Sequence, residues 1–146
     1  MKEFKIYTAG KMSGLSYQEQ MNWRKEIEWA VEKKTNKKVH FIHPPVYYNY
    51  ENQDYKSEKE IKDWEINQVR NSDIVIVNLD EVNDSVGTHY ELCTVDAINS
   101  FGNKHIFVIG IGKLETSIHP WIQLSIHRQE ETFEDAADYI VNYLLL

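Results

Sequence analysis

The residues best suited to chemistry lie between positions 84 and 91. Glu91 follows an apolar run at positions 74–79 and precedes a helical pattern of apolar residues that reaches Phe101. Such a run is typical of a buried parallel strand, and the helix after that strand begins at the edge of the sheet where ligands bind. Helix N-termini there also offer free N–H groups to anions. The order predicts that Glu91 lies in or beside a binding crevice.

Glu91 also has a simpler interpretation. A glutamate in the first turn of a helix stabilises the helix dipole by about 0.3–1 kcal/mol and needs no chemical role. The position alone favours this interpretation, because first-turn glutamates are common. Metal chemistry is not expected, because His40 and His43 have no carboxylate or cysteine partners at the spacing of a metal site.

Strand and helix patterns alternate along the chain. Strands are predicted at 4–9, 39–43, 74–79 and 105–111, and helices after Ser16, at 56–71, from Glu91 to Phe101 and at 133–145. Ser16 and Glu19 have the spacing of a capping box. Positions 46–55, rich in tyrosine and asparagine, are predicted to form a loop across the crevice. This order predicts an α/β, flavodoxin-like three-layer sandwich with a mainly parallel sheet of four or five strands, in one domain spanning 1–146.

Composition narrows the classes of function. The net charge of −7 argues against binding to a nucleic acid polymer, which usually needs a basic surface. No stretch reaches the ~20 apolar residues of a membrane span. The single cysteine, Cys93, has no partner for an internal disulfide, and the N-terminus lacks the apolar core of a signal peptide. We expect a cytoplasmic protein with a small-molecule ligand and no membrane or nucleic acid partner.

Three segments together resemble the nucleoside 2-deoxyribosyltransferase superfamily, which includes the 2′-deoxynucleoside 5′-monophosphate N-glycosidases. They are Lys-Ile-Tyr-Thr-Ala-Gly-Lys-Met-Ser-Gly at 5–14, Asn-Ser-Asp-Ile-Val-Ile-Val at 71–77 and Gly-Thr-His-Tyr-Glu-Leu at 87–92. Each segment is a weak signal alone, but their order and spacing span nearly the whole chain. The resemblance implies a single deoxyribosyltransferase-like domain that breaks a deoxyribose N-glycosidic bond without a cofactor or metal.

The same resemblance implies roles for four residues. Glu91 occupies the nucleophile position, where a carboxylate attacks the anomeric carbon and captures an oxocarbenium-like centre, as in retaining glycosidases. Tyr7 matches a tyrosine that orients the nucleophile by a hydrogen bond, although a packed strand tyrosine with a satisfied hydroxyl is the alternative. The departing base needs a proton, and the aspartate that supplies it in the family is replaced here by Glu65, with Asp63 two residues earlier. Either carboxyl, or neither, is the acid, since both also fit the solvated face of a charged helix.

The expected substrate contacts favour a 5′-phosphate. Ser85 lies six residues before Glu91, where the resemblance places a phosphate-binding serine in the N-glycosidases and an aspartate in the nucleoside transferases. Asp84, one residue away, leaves a free nucleoside open. Glycines allow close approach of a ligand, and lysine and serine donate to anions. The further expected contacts in these two loops are Gly10, Lys11, Met12, Ser13 and Gly87.

Residues at positions 118–121 bear on assembly. The resemblance places a residue of this region against the sugar of a neighbouring subunit, so His119 and Trp121 are expected to contact substrate in trans. This implies a homodimer or higher homo-oligomer, although a packed His-Pro-Trp turn is the alternative. Two further functions stay open beside the N-glycosidase: a transferase that exchanges bases between deoxynucleosides, and a non-catalytic nucleotide-binding module. A flavodoxin-like scaffold without such a ligand is also compatible with the fold.

Overall fold

The computed structural model describes residues 2–48 and 55–146. The five strands are β1 Glu3–Ala9, β2 Lys38–Ile42, β3 Ile74–Asn78, β4 Phe107–Ile111 and β5 Arg128–Glu130. The helices are α1 Tyr17–Glu32, α2 Pro44–Tyr47, α3 Glu58–Arg70, α4 Val86–Phe101, α5 Pro120–Leu124 and α6 Phe133–Tyr139, with a 3-10 turn at Val82–Asp84 and a π-helical turn at Ile140–Leu144. None of the helices in these ranges is long and apolar enough to cross a membrane.

The five strands form one parallel sheet in the order β2-β1-β3-β4-β5. This is the flavodoxin-like order, so the predicted fold class is confirmed. Strands β1 and β3 are neighbours, and the connections that follow them leave in opposite directions. In such sheets a crevice opens at the carboxyl ends of these two strands, which is where ligands bind.

The apolar runs form strands because helices cover both faces of the sheet. In β3 all residues from Ile74 to Val77 are buried, and alternate side chains enter opposite layers. Ile74 and Ile76 pack in the layer that contains α1 and α6, whereas Val75 and Val77 pack in the layer that contains α3 and α4. The sheet therefore carries α1 on one side of the crevice and α3 and α4 on the other.

Helix α1 begins at the predicted capping box. Ser16 Oγ accepts the N–H of Glu19 at 3.1 Å, and Glu19 Oε1 accepts the N–H of Ser16 at 3.2 Å. Two of the free N–H groups at the helix start are satisfied in this way. The capping box also fixes the point at which the loop after β1 joins the helix.

The structure differs from the sequence-based expectations in three places. The segment expected to be a loop up to position 120 leads into α5, and a short fifth strand, β5, follows at the edge of the sheet. The last helix is α-helical only to Tyr139 and continues as the π-helical turn. Part of the predicted mouth loop forms α2, and positions 49–54 of that loop lie outside the described residues.

Candidate active site

A cavity of about 430 Å³ lies at the carboxyl end of the sheet, between the loop after β1, helix α3 and the start of α4. Eight of the residues expected from the sequence line it. They are Gly10, Met12, Ser13, Glu65, Asp84, Ser85, Gly87 and Glu91. The topology of the sheet thus brings together three segments that are far apart in the chain.

Glu91 is buried at the wall of this cavity. It lies in the second turn of α4 and is only 5% exposed, so the first-turn dipole interpretation does not describe it. Burial and then the negative charge of Glu65 raise the pKa of Glu91 to about 8, although the Tyr7 hydroxyl and the Arg24 charge act in the opposite direction. The carboxyl therefore holds a proton over part of the neutral pH range and titrates where a catalytic group is useful.

A second carboxyl, that of Glu65, lines the same cavity from α3. Burial raises the pKa of Glu65 to about 7; the charge of Arg24 lowers it and that of Glu58 raises it. Asp63 lies on the outer face of α3, where its Oδ2 pairs with Lys59 Nζ at 2.5 Å. Of the two carboxyls considered for the acid, the structure brings only Glu65 to Glu91.

Tyr7 lies behind the cavity and is fully buried. Burial raises the pKa of its hydroxyl well above the usual value, and the charges of Glu91 and Glu65 raise it further. The Tyr7 hydroxyl and the Glu91 carboxyl shift each other's pKa through a hydrogen-bonding interaction, but Tyr7 Oη and Glu91 Oε2 do not meet the geometry of a full hydrogen bond with any described residue. Buried polar atoms without full hydrogen bonds are costly and rare, and a catalytic role is one of the reasons for which proteins retain them.

The start of α4 presents donors to the cavity. Ser85 is the N-cap residue, but its Oγ lies 2.6 Å from Thr88 Oγ1 and caps no backbone N–H. Asp84, in the preceding 3-10 turn, is exposed and also lines the cavity. A Cβ added to Gly87 would meet nothing within 4 Å. The first N–H groups of α4 are thus not used by a side-chain cap, and a helix start of this kind favours an anion.

The loop at 10–15 is held in place from α1. Gln20 Nε2 donates to Met12 O at 3.0 Å and to Leu15 O at 2.9 Å, and Arg24 Nη2 donates to Gly10 O at 3.3 Å. A Cβ at position 10 would lie 2.8 Å from Trp23 Cζ2, so the loop passes where only glycine fits. These contacts keep Met12 and Ser13 at the cavity wall.

Three of the expected contact residues lie elsewhere. Lys11 Nζ pairs with Glu81 Oε1 at 3.3 Å and does not line the cavity. His119 and Trp121 lie at the start of α5 beside a separate cavity of about 660 Å³ on the outer side of α4. Trp121 is 78% exposed there. Within one chain, neither residue reaches the Glu91 cavity.

Sequence reasoning missed two buried polar residues beside the site. Arg24 is fully buried and bonds to Thr8, and His43 is buried and bonds to the same threonine. Arg24 had a detectable signal, because it lies three residues from both Met21 and Ile27 on the apolar stripe of α1. In the described part of the chain, no cluster of three or more histidine, cysteine or carboxylate residues is arranged to hold a metal ion.

Comparisons with solved structures agree with this architecture. A 2-deoxyribosyltransferase from Bacillus psychrosaccharolyticus is 18% identical, with a TM-score of 0.65 over 92% of this chain and 91% of that chain. A conserved protein from Enterococcus faecalis V583 is 16% identical, with a TM-score of 0.62 over 95% of this chain and 98% of that chain. No protein-family model and no curated protein sequence matches the chain. The chain therefore shares its fold with a 2-deoxyribosyltransferase over 92% of its length.

Proposed function

We propose that this protein cleaves the N-glycosidic bond of 2′-deoxynucleoside 5′-monophosphates through a covalent deoxyribosyl-Glu91 intermediate. One observation carries the proposal: two carboxyls, the buried Glu91 and the half-buried Glu65, line one cavity at the switch point of the sheet, and burial raises the pKa of Glu91 to about 8 and that of Glu65 to about 7. Pairs of carboxyls of this kind perform nucleophilic and acid chemistry in retaining glycosidases.

The proposed reaction has two steps. In the first, a carboxylate oxygen of Glu91 bonds to C1′ while the C1′–N bond breaks; its electron pair leaves with the base, which takes a proton from Glu65. In the second, the Glu65 carboxylate accepts a proton from water, and the water oxygen bonds to C1′ as the bond to Glu91 breaks. The products are the free base and 2-deoxyribose 5-phosphate, and both carboxyls return to their starting protonation states.

This reaction needs one proton on the pair of carboxyls. Between pH values of about 7 and about 8 the two groups together hold about one proton, because burial and their mutual repulsion oppose a second negative charge. Because the pKa of Glu91 is the higher of the two, the free protein holds that proton mainly on Glu91. The reactive form, with the proton on Glu65 and Glu91 ionised, is the minor arrangement of the same single proton. Positive charge that develops on the sugar stabilises this form, because it attracts the carboxylate of Glu91.

The preference for a 5′-phosphate is supported by the start of α4. The hydroxyls of Ser85 and Thr88 lie together beside a helix start without a side-chain cap. Lys62, whose Nζ lies 4.7 Å from the centre of the Tyr90 ring, is the one basic residue among the described residues that line the cavity. Hydroxyls, free N–H groups and a lysine are the donors that phosphate groups use in proteins.

Replacement of Ser85 tests the phosphate preference. We expect Ser85→Ala to lower kcat/KM for a 5′-monophosphate about 10- to 100-fold, because a hydrogen bond to a charged oxygen is lost. The effect on the corresponding free nucleoside is expected to be less than about threefold. Ser100→Ala, at an exposed position of α4, is the matched control. Equal losses on both substrates would contradict a role of Ser85 in phosphate recognition.

Base transfer is the second candidate function, because the shared fold is also that of a 2-deoxyribosyltransferase. The two reactions separate in one assay. Each 2′-deoxynucleoside 5′-monophosphate and its free nucleoside is incubated with and without a second base, and base release is followed by chromatography. Release without an acceptor supports hydrolysis, whereas activity only with an acceptor base supports transfer. Tight binding without turnover of any substrate would leave a nucleotide-binding module as the better account.

We also propose that His119 and Trp121 act from a neighbouring subunit of a homodimer or larger homo-oligomer. Trp121 and Leu124 are 78% and 83% exposed beside the outer cavity, so α5 presents apolar surface of the kind that subunit contacts bury. We expect Trp121→Ala to shift the protein toward monomer in sedimentation velocity and to lower kcat/KM at least about tenfold. Trp29→Ala, which removes an exposed tryptophan of α1, is the control. A Trp121→Ala variant with unchanged mass and activity would contradict contact in trans.

A further inference from the structure

Arg24 is a buried cation at the end of β1. It extends from α1, is fully buried, and donates three hydrogen bonds to uncharged acceptors. Nε donates to Thr8 Oγ1 at 3.2 Å, Nη1 to Gln20 O at 2.5 Å and Nη2 to Gly10 O at 3.3 Å. No carboxylate among residues 2–48 and 55–146 forms an ion pair with it. A guanidinium with no direct counter-ion in the protein interior is unusual, because burial of an uncompensated charge is costly.

The charges that offset Arg24 belong to the site. Burial lowers the pKa of Arg24 to about 10, and the negative charges of Glu91 and Glu65 act in the opposite direction, with Glu91 the stronger of the two. Arg24 therefore stays protonated at neutral pH. Arg24 comes from the α1 side of the sheet, whereas Glu91 and Glu65 come from the α4 and α3 side. Arg24 is fully buried and is not among the residues that line the cavity, so its charge acts on the carboxyls through the protein interior.

The position of the guanidinium is fixed from the other side by His43. His43 Nε2 lies 2.6 Å from Glu28 Oε2, and Nδ1 lies 2.8 Å from Thr8 Oγ1. Burial lowers the pKa of His43; Glu28 acts in the opposite direction, and the charges of Arg24 and His40 lower the pKa further, which favours the neutral ring. With its one proton on Nε2 toward the carboxylate, Nδ1 is an acceptor 2.8 Å from the Thr8 hydroxyl, which also lies 3.3 Å from a second acceptor, Ile42 O. The Thr8 oxygen then presents its lone pairs to Arg24.

We propose that Arg24 is a positioning residue, which favours the ionised, nucleophilic form of Glu91 and holds the end of β1 in place next to Glu91. This inference rests on the proposed function. The groups that face Glu91 are Glu65 from α3, Tyr7 from β1 and Arg24 from α1; Glu58 acts on Glu65. Glu65 opposes ionisation of Glu91, whereas Arg24 and the Tyr7 hydroxyl favour it. Arg24 is the only permanent positive charge of this set.

The pH dependence of turnover tests the inference. Arg24→Gln removes the charge but keeps donors for Gly10 O, whereas Arg24→Lys keeps the charge. We expect Arg24→Gln to lower kcat/KM at about pH 7 at least about tenfold. The acid limb of the pH profile of kcat/KM, which reflects ionisation of Glu91, is expected to move upward by about one pH unit, so that activity is regained as pH rises. Arg24→Lys is expected to keep the limb in place, and so is Arg70→Gln, which removes an exposed guanidinium of α3. An Arg24→Gln variant that folds and keeps the wild-type acid limb would overturn the inference.

A second measurement needs no enzymatic activity. Melting temperatures are compared for wild type, Arg24→Gln, Glu91→Gln and the double variant. The raised pKa of Glu91 means that its ionisation costs stability, a cost absent at low pH and reached as pH rises toward its folded pKa. Without Arg24 this cost grows. Glu91→Gln is therefore expected to raise the melting temperature by at least about 3 °C more in the Arg24→Gln background than in wild type at about pH 9, and equally in both at about pH 6.

The possible outcomes separate the two proposals. Additive effects at about pH 9 would overturn the role of Arg24 whatever reaction the protein catalyses. If the two substitutions are not additive but no deoxynucleotide is turned over, the proposed function is overturned, and only the interaction between the charges of Arg24 and Glu91 is supported. If Arg24→Gln alone does not fold at about pH 9, the double variant is expected to fold, because the charge that Arg24 offsets is gone. Loss of folding in both variants would show that Arg24 does not act through Glu91.

Discussion

Glu91→Gln is expected to abolish base release from every deoxynucleotide, with a loss of at least about 10³-fold in kcat. The amide has nearly the same shape as the carboxyl, but it neither bonds to C1′ nor stabilises positive charge on the sugar. Chromatography of the released base measures the loss. Mass spectrometry of protein quenched during turnover is expected to detect a deoxyribosyl adduct on wild type and none on the variant.

The control for this experiment is Glu26→Gln, which replaces an exposed glutamate of α1. The Glu91→Gln variant is also expected to melt at a higher temperature than wild type at about pH 8, because wild type must bury a carboxylate there. A folded variant that keeps more than about a tenth of wild-type activity would exclude Glu91 as the nucleophile. An adduct found on another residue would do the same.

The second large effect is expected from Glu65→Gln. We predict a loss of about 10²- to 10⁴-fold with a natural base, because the base then leaves without a proton. The loss is expected to shrink to about tenfold or less for a deoxyriboside whose leaving group departs as a stable anion, since that substrate needs no acid. The alkaline limb of the pH profile, which reflects loss of the Glu65 proton, is expected to disappear.

Asp63→Asn provides the matched control in the same helix. Its carboxylate pairs with Lys59 on the outer face of α3, so the expected loss is less than about twofold. If Asp63→Asn were the damaging change and Glu65→Gln the silent one, the acid would be Asp63. Equal loss for natural and activated leaving groups in Glu65→Gln would assign Glu65 to binding rather than to proton transfer.

Which of Glu65 and Asp63 faces the cavity could have been predicted from the sequence, but only by working out which side of the helix each position occupies. Successive residues of a helix are rotated by about 100°, so positions 63 and 65 point to different sides. Glu65 lies four residues from both Ile61 and Val69, and thus shares their inward face. A carboxylate that repeats with buried apolar residues is a stronger candidate for a site than one on the charged face.

The strands were predictable where hydrophobicity dictated them. The run at Ile74–Asn78 is buried on both sides by helices and therefore leaves a continuous apolar pattern. Strand β5 has only three residues, Arg-Gln-Glu, at the edge of the sheet. Short and charged edge strands protect a sheet from further pairing, but they carry no apolar signal. The strand order could not be predicted from the sequence pattern either, because it depends on which distant strands pair with one another.

The buried hydrogen-bond network around Arg24 was not predicted from the sequence, for a different reason. Thr8 lies in β1, Arg24 and Glu28 lie in α1, and His43 lies between β2 and α2; only the assembled sheet brings these segments together. Composition and periodicity treat a charged residue as a solvent-facing one. Arg24 breaks that rule at a core position of α1, and breaks of this kind are expected at functional or strained sites.

The hydrogen bonds that Gln20 and Arg24 donate to the loop at 10–15 affect how the loop binds a ligand. Fixing the backbone of one residue costs about 1–2 kcal/mol of free energy at room temperature, because conformational entropy is lost. Because α1 orders this loop through Met12 O, Leu15 O and Gly10 O, that entropy is lost when the chain folds. A ligand that contacts the loop then meets a preorganised surface, and its affinity is not reduced by the work of ordering it.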